Sequence, residues 1–141
     1  MIIAEKLAQG DKIGVVSPSS PVTSDDEQFQ SGVSFLEAQG FQIELGEHVF
    51  SNALGYAAAP QEKAADINAM FADPSIKGIF CSQGGATANG CLPYLDWDGI
   101  AANPKVFLGI SDITVLLNAI YARTGLVTFH GNDVMWGFGH D

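Results

Sequence analysis

The chain has 141 residues, of which 47% are hydrophobic and 16% charged, a composition that suits one globular domain and excludes a disordered chain. Sixteen acidic residues against six basic ones give a formal net charge of −10, which disfavours nucleic acid and anionic membrane surfaces as partners. No apolar run approaches the roughly 20 residues that cross a bilayer, and no secretory signal pattern is visible, so we expect a cytoplasmic location.

The first half of the chain alternates short apolar runs with helical patterns. Lys12–Val16 predicts a buried strand that ends in the turn 17–21, which reads Ser-Pro-Ser-Ser-Pro. The next segment predicts a helix that starts at an acidic pair, keeps its apolar residues on one face and stops at a glycine: Asp25, Asp26, Phe29, Val33, Leu36 and Gly40. Phe41–Leu45 then predicts a second strand, and Gln61–Ala72 predicts a second helix.

A third strand is predicted over Ile76–Cys81, and two glycines lie just beyond its carboxyl end. Gly84 and Gly85 suit a tight turn, but they equally suit a backbone that approaches a ligand and donates N–H groups to it. A short helix is predicted for Asn89–Leu95. The sequence by itself leaves both interpretations of the glycine pair open.

The last predicted elements surround a serine. Val106–Ile110 predicts a fourth strand, and Asp112–Arg123 predicts an amphipathic helix that ends at Gly125. Leu126–Phe129 predicts a fifth strand. Ser111 therefore stands where a strand turns directly into a helix.

Strands that alternate with helices predict an α/β fold, an open and mostly parallel sheet with helices on both faces. In such sheets, sites form beyond the carboxyl ends of the strands. Three segments of unusual composition fall there: 17–21, 83–87 and 111–112. We expect them to lie together.

Ser111 has two local interpretations. Its hydroxyl could act as a nucleophile beside the free N–H groups of the following helix, which would stabilise an oxyanion. Gly109 leaves room for the sharp turn, but Ile113 stands where the pattern G-x-S-x-G has its second glycine. Serine is also a favoured helix N-cap, so the local pattern leaves both capping and catalysis open.

The histidines give one candidate base. His130 ends the predicted fifth strand on the same rim as Ser111, where it is either the base of a Ser–His dyad or a structural histidine. We expect His48 to be isolated on the surface. Asp96 and Asp98 are expected to be loop or cap residues.

No cofactor or metal site is expected, because no spacing of histidines and carboxylates is typical of metal ligands. The two cysteines, Cys81 and Cys91, are expected to be reduced and buried. Near the end of the chain, Trp136 and Phe138 are candidates for an exposed apolar patch that meets a second domain or a second copy in a homodimer.

Several ordered motifs extend over almost the whole chain. They are Gly10–Ser19, Lys63–Phe71, Gln83-Gly84-Gly85, Leu92–Asp96, Asn103–Lys105, Gly109–Thr114, Tyr121–Gly125 and Thr128–Gly131. Together they resemble the LD-carboxypeptidase family, which includes murein tetrapeptide LD-carboxypeptidases and microcin C immunity peptidases.

The resemblance implies that residues 1–141 form a flavodoxin-like, or class I amidotransferase-like, N-terminal domain of a serine peptidase with a Ser-Glu-His triad. Ser111 matches the nucleophile, and the backbone N–H groups of Gly85 and Asp112 match the oxyanion hole. The family takes its glutamate and histidine from a C-terminal domain that is absent from this chain. We therefore expect these residues alone to be inactive, although they belong to an enzyme.

The glycine turn bears on the substrate. It reads Ser82-Gln83-Gly84-Gly85-Ala86-Thr87 and lacks the arginine and tyrosine of the Arg-Gly-Gly-Tyr-Gly turn in the murein branch, so it looks more like the microcin-immunity branch. Loss of that cation weakens any preference for an anionic murein peptide. We expect a small peptide or peptide-like amide as substrate; the alternative is a noncatalytic flavodoxin-like ligand-binding domain.

Overall fold

The computed structural model describes residues 1–140, which contain one five-stranded sheet. Its strands are β1 (Lys12–Val16), β2 (Gln42–Leu45), β3 (Ile76–Cys81), β4 (Val106–Gly109) and β5 (Phe129–His130). Their order across the sheet is β2-β1-β3-β4-β5, and every neighbouring pair is parallel. The predicted parallel α/β class is confirmed.

Four α-helices connect the strands: α1 (Glu27–Ala38), α2 (Pro60–Ala72), α3 (Trp97–Ala102) and α4 (Thr114–Thr124). Shorter helical turns cover Ala88–Tyr94 and Ser111–Ile113 in the 3-10 form and Val134–Phe138 in the π form. The predicted caps are present, since Asp26 accepts the Phe29 N–H at 2.8 Å and Gly125 ends α4 at φ 76°. None of the helices in residues 1–140 combines the length and hydropathy needed to cross a membrane.

Side chains that alternate along the strands pack into two separate hydrophobic cores. Ile13, Val15 and Phe80 pack with α1 and the π-helical turn on one face of the sheet. Ile79 and Phe107 pack with α2, α3 and α4 on the other face. Helices therefore cover both faces, as the sequence predicts for a sheet with apolar residues on each side.

The structure corrects the prediction for the end of the sheet. Leu126 lies before β5 and pairs instead with Ile2 in an isolated parallel bridge, in which the Val127 N–H donates to the Ile2 carbonyl at 2.8 Å. The predicted strand begins at Leu126, whereas β5 begins at Phe129. Leu126 pairs with the N-terminal segment, which is distant in sequence.

The short helix α3 was not predicted. It has six residues, and Asp96 caps it by accepting the Gly99 N–H at 3.0 Å. Asp96 is thus a cap residue, as expected, and Asp98 lies in the first turn.

The apolar patch expected at Trp136 and Phe138 is only half present. Phe138 stacks between Phe35 and Phe80, with ring centroids 5.9 Å from each, because the π-helical turn packs against α1. Trp136 remains 54% exposed. The expectation was therefore wrong for Phe138.

Candidate active site

Three loops meet at the carboxyl edge of the sheet, and we call them the rim loops: 17–21, 83–87 and 110–112. They follow β1, β3 and β4, which are adjacent in the sheet. The Ser20 N–H donates to the Gly84 carbonyl at 3.1 Å, and the hydroxyls of Ser17 and Ser82 hydrogen-bond at 2.7 Å. The segments that the sequence predicted to converge do lie together.

Ser111 has an unusual backbone at this edge. Its φ is 58°, which makes it the single non-glycine residue with positive φ in residues 1–140. A serine in this left-handed region carries strain of roughly 1–3 kcal/mol, which the surrounding structure must hold. The residue is exposed, so its hydroxyl is open to a reactant.

The helix-cap alternative for Ser111 is wrong. The N-cap of the 3-10 turn is Ile110, the N-cap of α4 is Ile113, and neither position has a side-chain capping bond. The Ser111 hydroxyl makes no hydrogen bond to any atom of residues 1–140. Ser111 therefore caps neither the 3-10 turn nor α4.

Gly109 explains how the strand turns so sharply. A Cβ at this position would lie 2.5 Å from Cγ2 of Ile113. Ile113 is fully buried, so it has no room to move away. Ile113 stands where the pattern G-x-S-x-G has its second glycine, and its side chain packs directly over Gly109, the first glycine of the pattern. Packing therefore accounts for this departure from the pattern.

The glycine pair lies directly against Ser111. A Cβ on Gly84 would be 3.0 Å from the Ser111 Cβ and 3.3 Å from its Oγ. Gly85 has φ +151°, and a Cβ there would approach the hydroxyls of Ser19 and Ser20 to 2.4 and 2.3 Å. A side chain is excluded at Gly85 and would be tight at Gly84, which favours close backbone approach over an ordinary turn.

Two backbone N–H groups are available near the serine. Gly85 lies outside every helix and strand, and its N–H donates to no carbonyl of the described chain. The first bond of the 3-10 turn runs from the Ile113 N–H to the Ile110 carbonyl, so the Asp112 N–H precedes the bonded part of the turn. Unpaired donors at a helix start are suited to an anion.

The side chain of Asp112 has a role that the sequence did not reveal. Its Oδ2 accepts the Ser19 hydroxyl at 2.5 Å and the Ala88 N–H at 2.9 Å. Ser19 Oγ in turn accepts the Thr87 N–H at 3.1 Å. The carboxylate thereby joins all three rim loops.

Gln83 was also missed as a site residue. Its side chain donates to the Pro21 carbonyl at 2.9 Å and accepts the Trp136 indole N–H at 3.1 Å. It links the first rim loop, the glycine turn and the π-helical turn. The only sequence signal was its position directly before the glycine pair.

The histidines are placed differently from one another. His130 is exposed and lies opposite Gly109 in the β4–β5 ladder, on the expected rim, but no hydrogen bond within residues 1–140 joins it to Ser111. His48 is not isolated: its Nδ1 lies 2.8 Å from Oδ1 of buried Asp66, and its backbone N–H donates to Oδ2 at 2.8 Å. The prediction for His48 was wrong because its partner is 18 residues away on α2.

The cysteines are free and buried, as predicted. Burial raises the pKa of the Cys81 thiol well above its ordinary value and that of Cys91 to about 11, so both thiols stay protonated at neutral pH. Within residues 1–140, no cluster of three His, Cys, Asp or Glu side chains is arranged to hold a metal ion.

Comparison with known proteins gives this site a context. Residues 13–131 match the family described as the LD-carboxypeptidase N-terminal domain. The chain is 40% identical over 139 residues to the microcin C7 self-immunity protein MccF of Escherichia coli, covering 98% of this chain and 40% of that protein. It is 32% identical over 121 residues to the murein tetrapeptide carboxypeptidase of Pseudomonas aeruginosa, covering 85% of this chain and 38% of that protein.

A solved structure agrees over the full chain. The structure of MccF in complex with aspartyl sulfamoyl adenosine superposes with a TM-score of 0.95 at 39% identity, and the match covers 100% of this chain and 42% of that one. The chain thus spans about two fifths of the length of the relatives it matches. By its sequence, its sheet and the match over residues 13–131, the chain belongs to the LD-carboxypeptidase family.

Proposed function

We propose that the full-length protein is a serine peptidase that hydrolyses the amide bond of a small peptide or peptide-like substrate through an acyl-enzyme on Ser111. The observation that carries the proposal is the backbone of Ser111, held at φ 58° on an exposed strand-to-helix turn against Gly84. A protein gains no stability from such a residue, whereas a nucleophile needs this presentation.

The reaction would proceed in two steps. Ser111 Oγ attacks the amide carbon while its proton passes to a base, the C–N bond breaks, and the amine leaves with that proton. Water then attacks the ester and releases the acid and the free serine. The N–H groups of Gly85 and Asp112 would stabilise the oxyanion in both steps.

The base is proposed to come from outside this chain. Residues 1–141 would form the N-terminal domain, with a Glu and a His of a C-terminal domain completing the triad. The support is that Ser111 Oγ has no hydrogen-bond partner within residues 1–140, although a nucleophile must be activated. The relatives are more than twice as long as this chain, which leaves room for such a domain.

The substrate class is drawn from the relatives and from the glycine turn. One relative is a microcin self-immunity protein and another a murein tetrapeptide carboxypeptidase. The turn 82–87 carries no cation, so we favour a microcin-type or similar peptide over an anionic murein tetrapeptide. The cytoplasmic location belongs to the same proposal and agrees with two free thiols.

A fluorophosphonate probe tests the reaction class. In the full-length protein we expect Ser111 Oγ to bond to phosphorus as the P–F bond breaks, which gives one adduct that mass spectrometry maps to Ser111. The variant Ser111→Ala should carry no adduct. The control Ser34→Ala removes an exposed serine of α1 and should label like the wild type. A wild-type protein without an adduct would contradict the peptidase and favour a noncatalytic ligand-binding domain.

A further inference from the structure

A buried cation lies next to the rim loops and has no part in the proposed reaction. Lys63 on α2 is only 3% exposed, in a chain with six basic residues against sixteen acidic ones. Its Nζ donates to Oγ1 of Thr87, the last residue of the glycine turn, at 2.7 Å. Burial lowers the pKa of Lys63, while attraction to Cys91 and Asp112 opposes that shift. Burying an ammonium is costly unless it is hydrogen-bonded, and the Thr87 hydroxyl supplies such a bond.

The hydrogen bonds run from this cation to the residue beside Ser111. Thr87 receives the Lys63 bond through its hydroxyl and donates its backbone N–H to Ser19 Oγ at 3.1 Å. Ser19 donates onward to the Asp112 carboxylate at 2.5 Å. Lys63 is the positively charged end of this series of hydrogen bonds, and Asp112 is the negatively charged end. The series thus holds the glycine turn and the turn at Ser111 in one network.

The charges matter for an oxyanion. The carboxyl group of Asp112 belongs to the same residue as one proposed oxyanion donor, and a negative charge there would by itself oppose the charge of the oxyanion. Among the described residues, Lys63 is the cation that hydrogen-bonds to a rim loop and is electrostatically coupled to Asp112. In a partly buried site this attraction is screened less than at the surface. The network therefore opposes the charge of Asp112 and restrains Thr87, which lies two residues after Gly85.

We propose that Lys63 is a positioning residue, which orients the oxyanion hole through Thr87 and offsets the charge of Asp112. This inference rests on the proposed peptidase function. It assigns no contact between Lys63 and substrate, and its effect should appear in the reaction of Ser111 and not in substrate binding.

The experiment compares two buried lysines in the full-length protein. Lys63→Met keeps the aliphatic stem and removes the charge, and we expect roughly tenfold slower phosphonylation of Ser111 by the fluorophosphonate, a smaller loss than direct removal of an oxyanion donor causes. Lys105→Met is the matched control. Lys105 is 7% exposed, and its Nζ bonds to the carbonyls of Met70 and Asp73 at the opposite end of the sheet. It should change the melting temperature but not the labelling rate.

Thr87 provides a second arm that keeps the lysine. Thr87→Val should slow labelling, Thr87→Ser should restore it, and the double variant with Lys63→Met should be no slower than Lys63→Met alone. With a peptide substrate, kcat should fall while KM stays within about twofold.

The outcomes separate the two proposals. If the wild type labels at Ser111 and both Lys63→Met and Thr87→Val label at the wild-type rate, this inference is overturned and the peptidase stands. Additive effects of the two substitutions would also overturn it. If the wild type does not label, the peptidase proposal fails and this inference falls with it.

Discussion

At the scale of single residues, the most informative feature is the backbone of Ser111. Glycine, asparagine and aspartate are the residues that tolerate the left-handed region, yet a serine occupies it here at φ 58°. Gly84 lies against it, and Ile113 packs on Gly109 in the same turn, so the turn has little freedom to relax. The strain is therefore imposed by packing, and the residue that bears it is the proposed nucleophile.

This strain predicts an inverse relation between stability and function. Ser111→Gly should raise the free energy of unfolding by about 1 kcal/mol, because glycine adopts this φ without steric penalty while its greater unfolded-state entropy offsets part of the gain. Urea denaturation of the full-length protein measures the change. The same variant should lose fluorophosphonate labelling.

The control for Ser111→Gly is the same substitution in a relaxed position. Ser34 lies exposed in α1, where a change to glycine should lower stability by roughly 0.5 kcal/mol. Two substitutions of opposite sign would establish that the effect belongs to the backbone of Ser111. A Ser111→Gly protein less stable than the wild type would contradict the strain argument.

At the scale of elements, the loop after β2 is fixed to α2 by carboxylates. Asp66 accepts both the backbone N–H and the ring Nδ1 of His48, each at 2.8 Å. Glu62 accepts the Ser51 hydroxyl and the Ala59 N–H, each at 3.0 Å. These bonds hold the start of α2, the helix that also carries Lys63, against the edge of the sheet.

The contact predicts a pH-dependent stability. The hydrogen bond to Asp66 raises the pKa of His48, and the charges of Asp66, Glu47 and Glu62 add to this while burial opposes it. Because the folded pKa exceeds the unfolded value of about 6.5, the stabilisation is complete below that value and is lost as pH rises through the folded pKa. Urea denaturation from about pH 5.5 to about pH 8 should therefore show the wild type losing more stability than His48→Gln.

A second variant tests whether the His48–Asp66 contact causes this pH dependence of stability. Asp66→Asn removes the carboxylate but keeps the shape of the side chain, so its stability should vary with pH as weakly as that of His48→Gln. If wild type and both variants gave parallel profiles, the His48–Asp66 contact would not be the cause.

At the scale of the whole molecule, the chain presents half of a proposed active site. The carboxyl edge of the sheet offers an exposed Ser111 and two backbone donors, whereas His130 on the same edge makes no hydrogen bond with the serine within residues 1–140. Trp136 is exposed beside Gln83 at this edge. We expect this surface to face the second domain or a second copy, while half-buried Phe138 packs against the core.

The division of the site predicts how activity is distributed. Residues 1–141 alone should hydrolyse aspartyl sulfamoyl adenosine or a murein tetrapeptide no faster than their Ser111→Ala variant, because no base within residues 1–140 hydrogen-bonds to the serine. The full-length protein should hydrolyse one of them, as followed by chromatography. His130→Ala in the full-length protein should leave turnover unchanged. Hydrolysis by residues 1–141 that depends on Ser111 would contradict the two-domain site, and loss of turnover in His130→Ala would support the dyad.

The sequence by itself determined the fold class and the neighbourhood of the site. Apolar runs such as Lys12–Val16 and Ile76–Cys81 predicted their strands because a strand buried on both faces needs continuous apolar side chains. Parallel alternation then placed the three rim loops at one edge, since the carboxyl ends of parallel strands must point the same way. The short helix α3 was not predicted, because six residues show too little hydrophobic periodicity to indicate a helix.

Only the tertiary structure decided what the individual side chains do. The φ of Ser111, the bonds of Asp112 to Ser19 and Ala88, and the burial of Lys63 against Thr87 all depend on contacts between segments more than twenty residues apart. Gly109 and Ile113 are close in sequence, but there too the deciding fact is a distance and not a motif. The local sequence pattern shows which residues are present. Their hydrogen-bond partners and the backbone strain at Ser111 arise only when the sheet brings distant loops together.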